Sequence, residues 1–132
     1  MTAADYSKFL LALVMYREAR GEGQTGMLAV GHVIANRCHM WGKTYHDVIL
    51  GENQFTSMSV HADPNDIAWP VLEDEVFYLA ENVYSGMASD VTNGALYYAD
   101  ETFVTSGWYE REIISSGLHP VLVKIGRHTF RK

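Results

Sequence analysis

Two apolar stripes of helical period, broken by a pair of glycines, constrain this chain more than any other feature. Tyr6, Phe9, Leu10, Leu13 and Val14 follow the i, i+3, i+4, i+7, i+8 spacing of an amphipathic helix facing a core. That helix is expected to run to about Arg20, where Gly21 and Gly23 end it. Thr25 is placed to cap a second helix, whose stripe of Met27, Val30, Gly31, Ile34, Ala35 and Cys38 has small residues in its middle and so permits close packing.

The rest of the chain extends this helical core. Thr44, followed three residues later by Asp47, has the pattern of a capped short helix that Gly51 ends. Residues 52–70 are polar and turn-rich, with Pro64 and Pro70, and read as a long functional loop. From Pro70 helical spacing returns, with Leu72, Val76, Leu79, Ala80 and Val83 inward and Gly86 as the stop. The segments GALYYA (94–99) and PVLVKIGRHTF (120–130) read as two short strands of a small sheet, and 100–117 between them as irregular. The expected fold class is α+β, mainly helical, in a single domain over 1–132.

Composition narrows the function classes. A hydrophobic share of 48% with 20% charged residues is that of an ordinary globular chain. The formal net charge of −6 disfavours nucleic acid and passive adhesion to anionic surfaces. No apolar stretch approaches a membrane span, and the N-terminal run lacks a basic flank, so the protein is expected to be made soluble in a cytoplasm. Cys38 is the only cysteine and reads as a small buried hydrophobe. The six histidines show no HExxH, no CxxC and no pair at metal-ligand helical spacing, so no metal or other cofactor is expected.

Chemistry concentrates around two glutamates. Glu18 follows Leu10 and Val14 at intervals of four and so continues the apolar stripe. A carboxyl held against apolar neighbours favours its protonated form, as a general acid near neutral pH requires. An ion pair with Arg17 or Arg20 at the helix end accounts for the same residue equally well. Glu22, beyond Gly21, suits the positive end of the second helix or the ordering of the turn. Around them, NQFTS (53–57) offers amides and hydroxyls about a Phe, and NGALYY (93–98) offers two adjacent tyrosines that point to opposite faces of a strand. One tyrosine is then core, and the other is free to bond a carboxylate or a sugar. With 3 Trp and 8 Tyr, the chain has rings enough to stack on sugar faces.

EARGEGQTGMLAVGHVIANR (18–37), QFT (54–56), NGALYY (93–98) and IGRHTF (125–130), in that order, resemble the cell-wall hydrolase family of the spore cortex-lytic enzyme SleB, whose domain also occurs in phage endolysins. The likeness spans roughly Phe9 to Phe130. It implies a fold similar to lysozymes and lytic transglycosylases, and cleavage of the peptidoglycan glycan strand between N-acetylmuramic acid and N-acetylglucosamine. Carried onto this chain, the catalytic acid corresponds to Glu18, while Glu22, Gln54, Phe55, Thr56, Tyr97 and Tyr98 match positions that shape the site or hold substrate. Arg17 and the long stretch 104–119 depart from the family pattern and bear on the groove.

The resemblance implies a lytic transglycosylase route in which one glutamate serves as acid and then base, leaving a 1,6-anhydro product. A lysozyme-type hydrolysis stays open if Glu22 faces Glu18 across the groove, since that chemistry usually needs a carboxylate pair. A noncatalytic peptidoglycan-binding virion domain is the alternative from another class. The expected partner is the glycan strand, with no nucleic acid and no membrane insertion. The chain is expected to act as a monomer, as a phage or prophage endolysin that reaches the wall after release.

Overall fold

The computed structural model describes residues 2–51, 55, 58, 73–104 and 106–132. Helix α1, Ala3–Ala19, opens with a capping box: Thr2 Oγ1 accepts from Asp5 N at 3.0 Å and Asp5 Oδ2 from Thr2 N at 3.1 Å. Its middle, Leu10 to Met15, is buried on every side, so α1 is a central helix and not the one-sided amphipath its spacing suggested. Neighbours on several flanks cause this: α1 packs against α2 (Gly23–Trp41), α3 (Tyr45–Leu50) and α4 (Asp74–Ser85).

The glycine break between α1 and α2 is a single 3-10 turn, Arg20–Glu22. Thr25 does not cap α2: the helix has already begun at Gly23, with Glu22 at the cap position making no side-chain cap bond. Close packing of the two helices follows from Gly31, where a Cβ would lie 2.9 Å from Met15 Sδ. Thr44 caps α3 through Asp47 N at 3.1 Å, and Gly51 follows its end. On α4, Val76, Leu79, Ala80 and Val83 are buried and Gly86 closes the helix with φ 80°. The loop reading of 52–70 and the inward reading of Leu72 lie outside the described residues, apart from Phe55 and Met58.

The sheet has three strands where two were expected: β1 (Tyr97–Ala99), β2 (Val121–Ile125) and β3 (His128–Arg131), antiparallel in the order β1-β3-β2. Gly126, at φ 58°, and Arg127 split the second segment into a hairpin with a two-residue turn. The stretch expected to be irregular contains α5, Gly107–Tyr109, capped by Ser106 and running on as a π-helical turn, Glu110–Ile114. Ile113 is its one buried residue, which leaves no apolar periodicity to read in the sequence.

Two cores result. One joins α1, α2, α3 and α4; the other packs Ala29 and Val33 of α2 against Phe130, with Leu122, Val123 and Ile125 alongside. Helix α2 therefore lies between the helical layer and the sheet, and Tyr98 packs against both cores.

Candidate active site

A cleft of about 1030 Å³ opens where the C-terminal ends of α1 and α2 meet β1 and the segment leading into α5. Glu18 lines it one residue before α1 ends, and its Oε1 accepts from the Tyr98 hydroxyl at 3.2 Å. Burial, then the Glu18 charge, raises the Tyr98 phenol well above its ordinary value, so the group stays a donor across the working pH range. The helical register that placed Glu18 on the inward stripe thus delivers it to the cleft.

What brings the tyrosines there is the end of α2. Asn36 Nδ2 donates to Asp90 Oδ2 at 2.9 Å and to Ala95 O at 3.0 Å, and Arg37 Nε donates to Leu96 O at 2.6 Å. Asp90 organises the turn itself, accepting from Thr92 N, Thr92 Oγ1 and Gly94 N at 2.8, 2.6 and 2.9 Å. Burial raises the Asp90 carboxyl, but these donors outweigh it and hold the group below its usual value. Asn93, at φ 60°, and Gly94 complete the turn into β1.

Tyr98 stacks on Phe130 with ring centres 5.6 Å apart and meets His128 edge-on at 5.2 Å. Tyr97 packs against His119 at 4.8 Å and Trp41 at 6.4 Å. Both tyrosines line the cleft although adjacent strand residues face opposite ways, and β1, which carries them, is an edge strand. Tyr98 consequently serves the core and the carboxylate at once.

Phe55 is buried and lines the cleft; Gln54 and Thr56 lie outside the described residues. Glu22 is absent from the cleft wall. Its side chain, 10% exposed, pairs with Arg127 Nε at 3.0 Å, which holds the carboxyl below its ordinary range. A Cβ on Gly126 would overlap Glu22 Oε2, so the hairpin turn closes directly over this carboxylate. Glu22 therefore ties the β2–β3 turn to the α1–α2 junction and does not face Glu18 across the groove.

Several residues of the wall carry no motif in the sequence. Asp100 is a second carboxylate there, with Oδ1 accepting from Thr102 N at 3.1 Å and Thr102 Oγ1 at 2.6 Å; these bonds lower its carboxyl. Trp41, Phe103, Trp108 and Tyr109 supply rings, with Trp108 55% exposed. Their signal was only the frequency of aromatics, which does not say which of them face solvent. No group of three or more metal-ligating side chains occurs among the described residues. His32 is buried with both ring nitrogens against carbonyls, Leu28 O at 2.8 Å and Ala88 O at 3.2 Å. Burial pushes the Cys38 thiol up to about 11.

The sequence pattern of the cell wall hydrolases matches residues 21–131. The chain belongs to the cell wall hydrolase family. The matched range starts three residues after Glu18 and takes in Glu22, the end of α2 and the whole sheet. Among the chain's relatives, the spore cortex-lytic enzyme of Oceanobacillus iheyensis is 32% identical over 93% of the chain, and that of Bacillus subtilis 29% identical over 92%. The chain spans 40% and 36% of the lengths of those two proteins.

Two solved structures share the fold. The catalytic domain of the Bacillus cereus SleB protein superposes with a TM-score of 0.73 at 28% identity, covering 96% of this chain and 89% of that one. The catalytic domain of the germination-specific lytic transglycosylase SleB from Bacillus anthracis gives 0.74 at 27%, covering 100% and 97%. The chain is thus of the SleB type, with the lysozyme-like α+β fold.

Proposed function

We propose that the chain is a lytic transglycosylase that cleaves the peptidoglycan glycan strand between N-acetylmuramic acid and N-acetylglucosamine, with Glu18 as its general acid and base. The observation that carries this reading is a carboxyl group at the end of a central helix, lining an aromatic-walled cleft and receiving a hydrogen bond from a half-buried tyrosine. The SleB relatives point the same way.

In this mechanism Glu18 donates its proton to the glycosidic oxygen as the C1–O bond breaks, leaving positive charge at C1. The carboxylate then takes a proton from the muramyl C6 hydroxyl, whose oxygen closes on C1 to give the 1,6-anhydro sugar. Glu18 ends protonated, ready for the next turnover, and no water is consumed. Tyr98 O–H acts on the carboxylate form, so its bond strengthens as the proton leaves. Exposed rings such as Trp108 supply apolar faces for the pyranose rings.

Glu18→Gln keeps size and removes the acid. The expected result is a folded protein that releases no muropeptides from purified walls; retained cleavage would refute the assignment. It would equally sort enzyme from a noncatalytic binding domain, which would bind walls without turnover in both forms. A second reading, hydrolysis by water, has one observation in its favour: Asp100 supplies a second carboxylate on the cleft wall. Mass spectrometry of the released fragments separates the two, since reducing ends that are all hydrated would rule out the transglycosylase. We further propose an endolysin setting, supported by the family's occurrence in phage; lysis on expression that depends on a co-expressed holin is its test.

A further inference from the structure

Building on the glycan-cleaving reading of the cleft, we propose that Arg37 and Tyr109 form a recess in it that binds a carboxylate carried by the substrate: the free lactyl carboxylate of a muramic residue that has lost its stem peptide. Arg37, four residues before the end of α2, is 8% exposed and lines the cleft. Its guanidinium centre lies 5.3 Å from the Trp41 ring and 5.6 Å from each of the Phe55 and Tyr97 rings. The cation thus stands among three rings, and its two terminal nitrogens make no hydrogen bond among the described residues. Its one hydrogen bond among the described residues is from Nε to Leu96 O, and no carboxylate among them pairs with it.

The Tyr109 hydroxyl is buried on the same cleft and has no hydrogen-bond partner among the described residues. A buried cation without a counter-ion and a buried hydroxyl without an acceptor are each unfavourable, and a single planar acceptor with two oxygens relieves both. A carboxylate fits: its oxygens meet the guanidinium edge side by side, with the phenol donating to one of them. Attraction of anions at large is not the cause, since the chain carries net charge −6 and Glu18 and Asp100 line the same cleft.

On a strand of N-acetylmuramic acid and N-acetylglucosamine, the one carboxyl attached to the sugar itself is that of the lactyl ether. A stem peptide converts it to a neutral amide, and removal of the peptide restores the anion. The recess therefore reads whether a muramic residue has been stripped, and a reaction that hydrolyses the muramyl amide must supply its preferred substrate.

The test compares glycan strands freed of peptide by an amidase with the same strands after their carboxyls are coupled to methylamine. The wild type is expected to cleave the free-acid strands with kcat/KM about ten- to a hundredfold higher, the worth of a hydrogen-bonded charge. Arg37→Gln should abolish that ratio and Tyr109→Phe should reduce it. Loss of the Leu96 contact alone would slow both substrates equally, so the ratio separates binding from support of β1. If Arg37→Gln fails to fold, the wild-type ratio and Tyr109→Phe decide the matter. Equal cleavage of both strands by the wild type, or a preference for strands with intact stem peptides, overturns the proposal while leaving the glycan reading in place. Absence of any cleavage removes both.

Discussion

Replacing Tyr98 with Phe isolates a single hydrogen bond at the centre of the proposed mechanism. The ring stays, and with it the stacking on Phe130 at 5.6 Å and the edge contact with His128 at 5.2 Å. What goes is the O–H donated to Glu18 at 3.2 Å. A hydrogen bond to a charged group contributes roughly 1.5–3 kcal/mol, and a 3.2 Å separation puts this one at the weak end, about 1.5 kcal/mol. The bond is strongest once Glu18 has become a carboxylate, so its loss raises the barrier to proton donation and lowers kcat about tenfold. Thermal stability should change by less than about 1 kcal/mol, whereas Tyr98→Ala, which empties the ring site, should cost about 3–4 kcal/mol.

The pH profile supplies an independent sign. The donor favours the ionised form of Glu18, so without it the acid keeps its proton to higher pH, and the limb on which activity falls with rising pH moves upward. Because the Tyr98 phenol is raised well above its ordinary value, the wild-type bond does not titrate away first. The assay is muropeptide release from purified walls across pH, with melting curves in parallel. Wild-type kcat and an unmoved limb in a folded Tyr98→Phe protein would refute the reasoning.

Gly126→Ala should destabilise twice over: by about 1 kcal/mol for an alanine at φ 58°, and further because its Cβ overlaps Glu22 Oε2. In a Glu22→Ala background only the conformational part should remain, so equal melting shifts in both backgrounds would dispose of the contact. Glu22 and Asp90 are both held below their ordinary values in the folded chain, so the stability they contribute is present above the unfolded carboxylate range, about pH 4, and lost as pH falls through the folded values. Glu22→Gln should accordingly flatten the acid side of the stability curve, measured by denaturant midpoints. Cys38 is half-buried and not the fully buried hydrophobe expected; with its thiol pushed up to about 11, it should alkylate slowly in the native state near pH 8 and faster on unfolding, and rapid native labelling would contradict that shift.

The helices were legible because a 3.6-residue period repeated over many turns leaves a strong trace in sequence, and the caps at Thr44, Gly51 and Gly86 carry local signals of their own. Glu18 was legible for the same reason, being simply the next residue along the α1 stripe. The three-stranded sheet was not, because a hairpin turn at Gly126–Arg127 inside an apolar run leaves no change of period to read. The helical turn at 107–114 was hidden by having a single buried anchor, Ile113.

By itself, then, the sequence determined the helical framework, the glycine break that follows the first helix at about Arg20 and the carboxyl group that stands just before it. Tertiary structure alone decided the company that carboxyl group keeps. Glu22, four residues on, is drawn away by an arginine 105 positions distant, while Tyr98 arrives from 80 positions away to bond Glu18. Asn36 and Arg37, which read only as the polar end of a helix, prove to hold the turn that delivers Tyr98. Local periodicity fixes the direction in which a side chain leaves its own helix. Which charges and rings it meets depends on contacts between distant segments, and those exist only once both cores have closed.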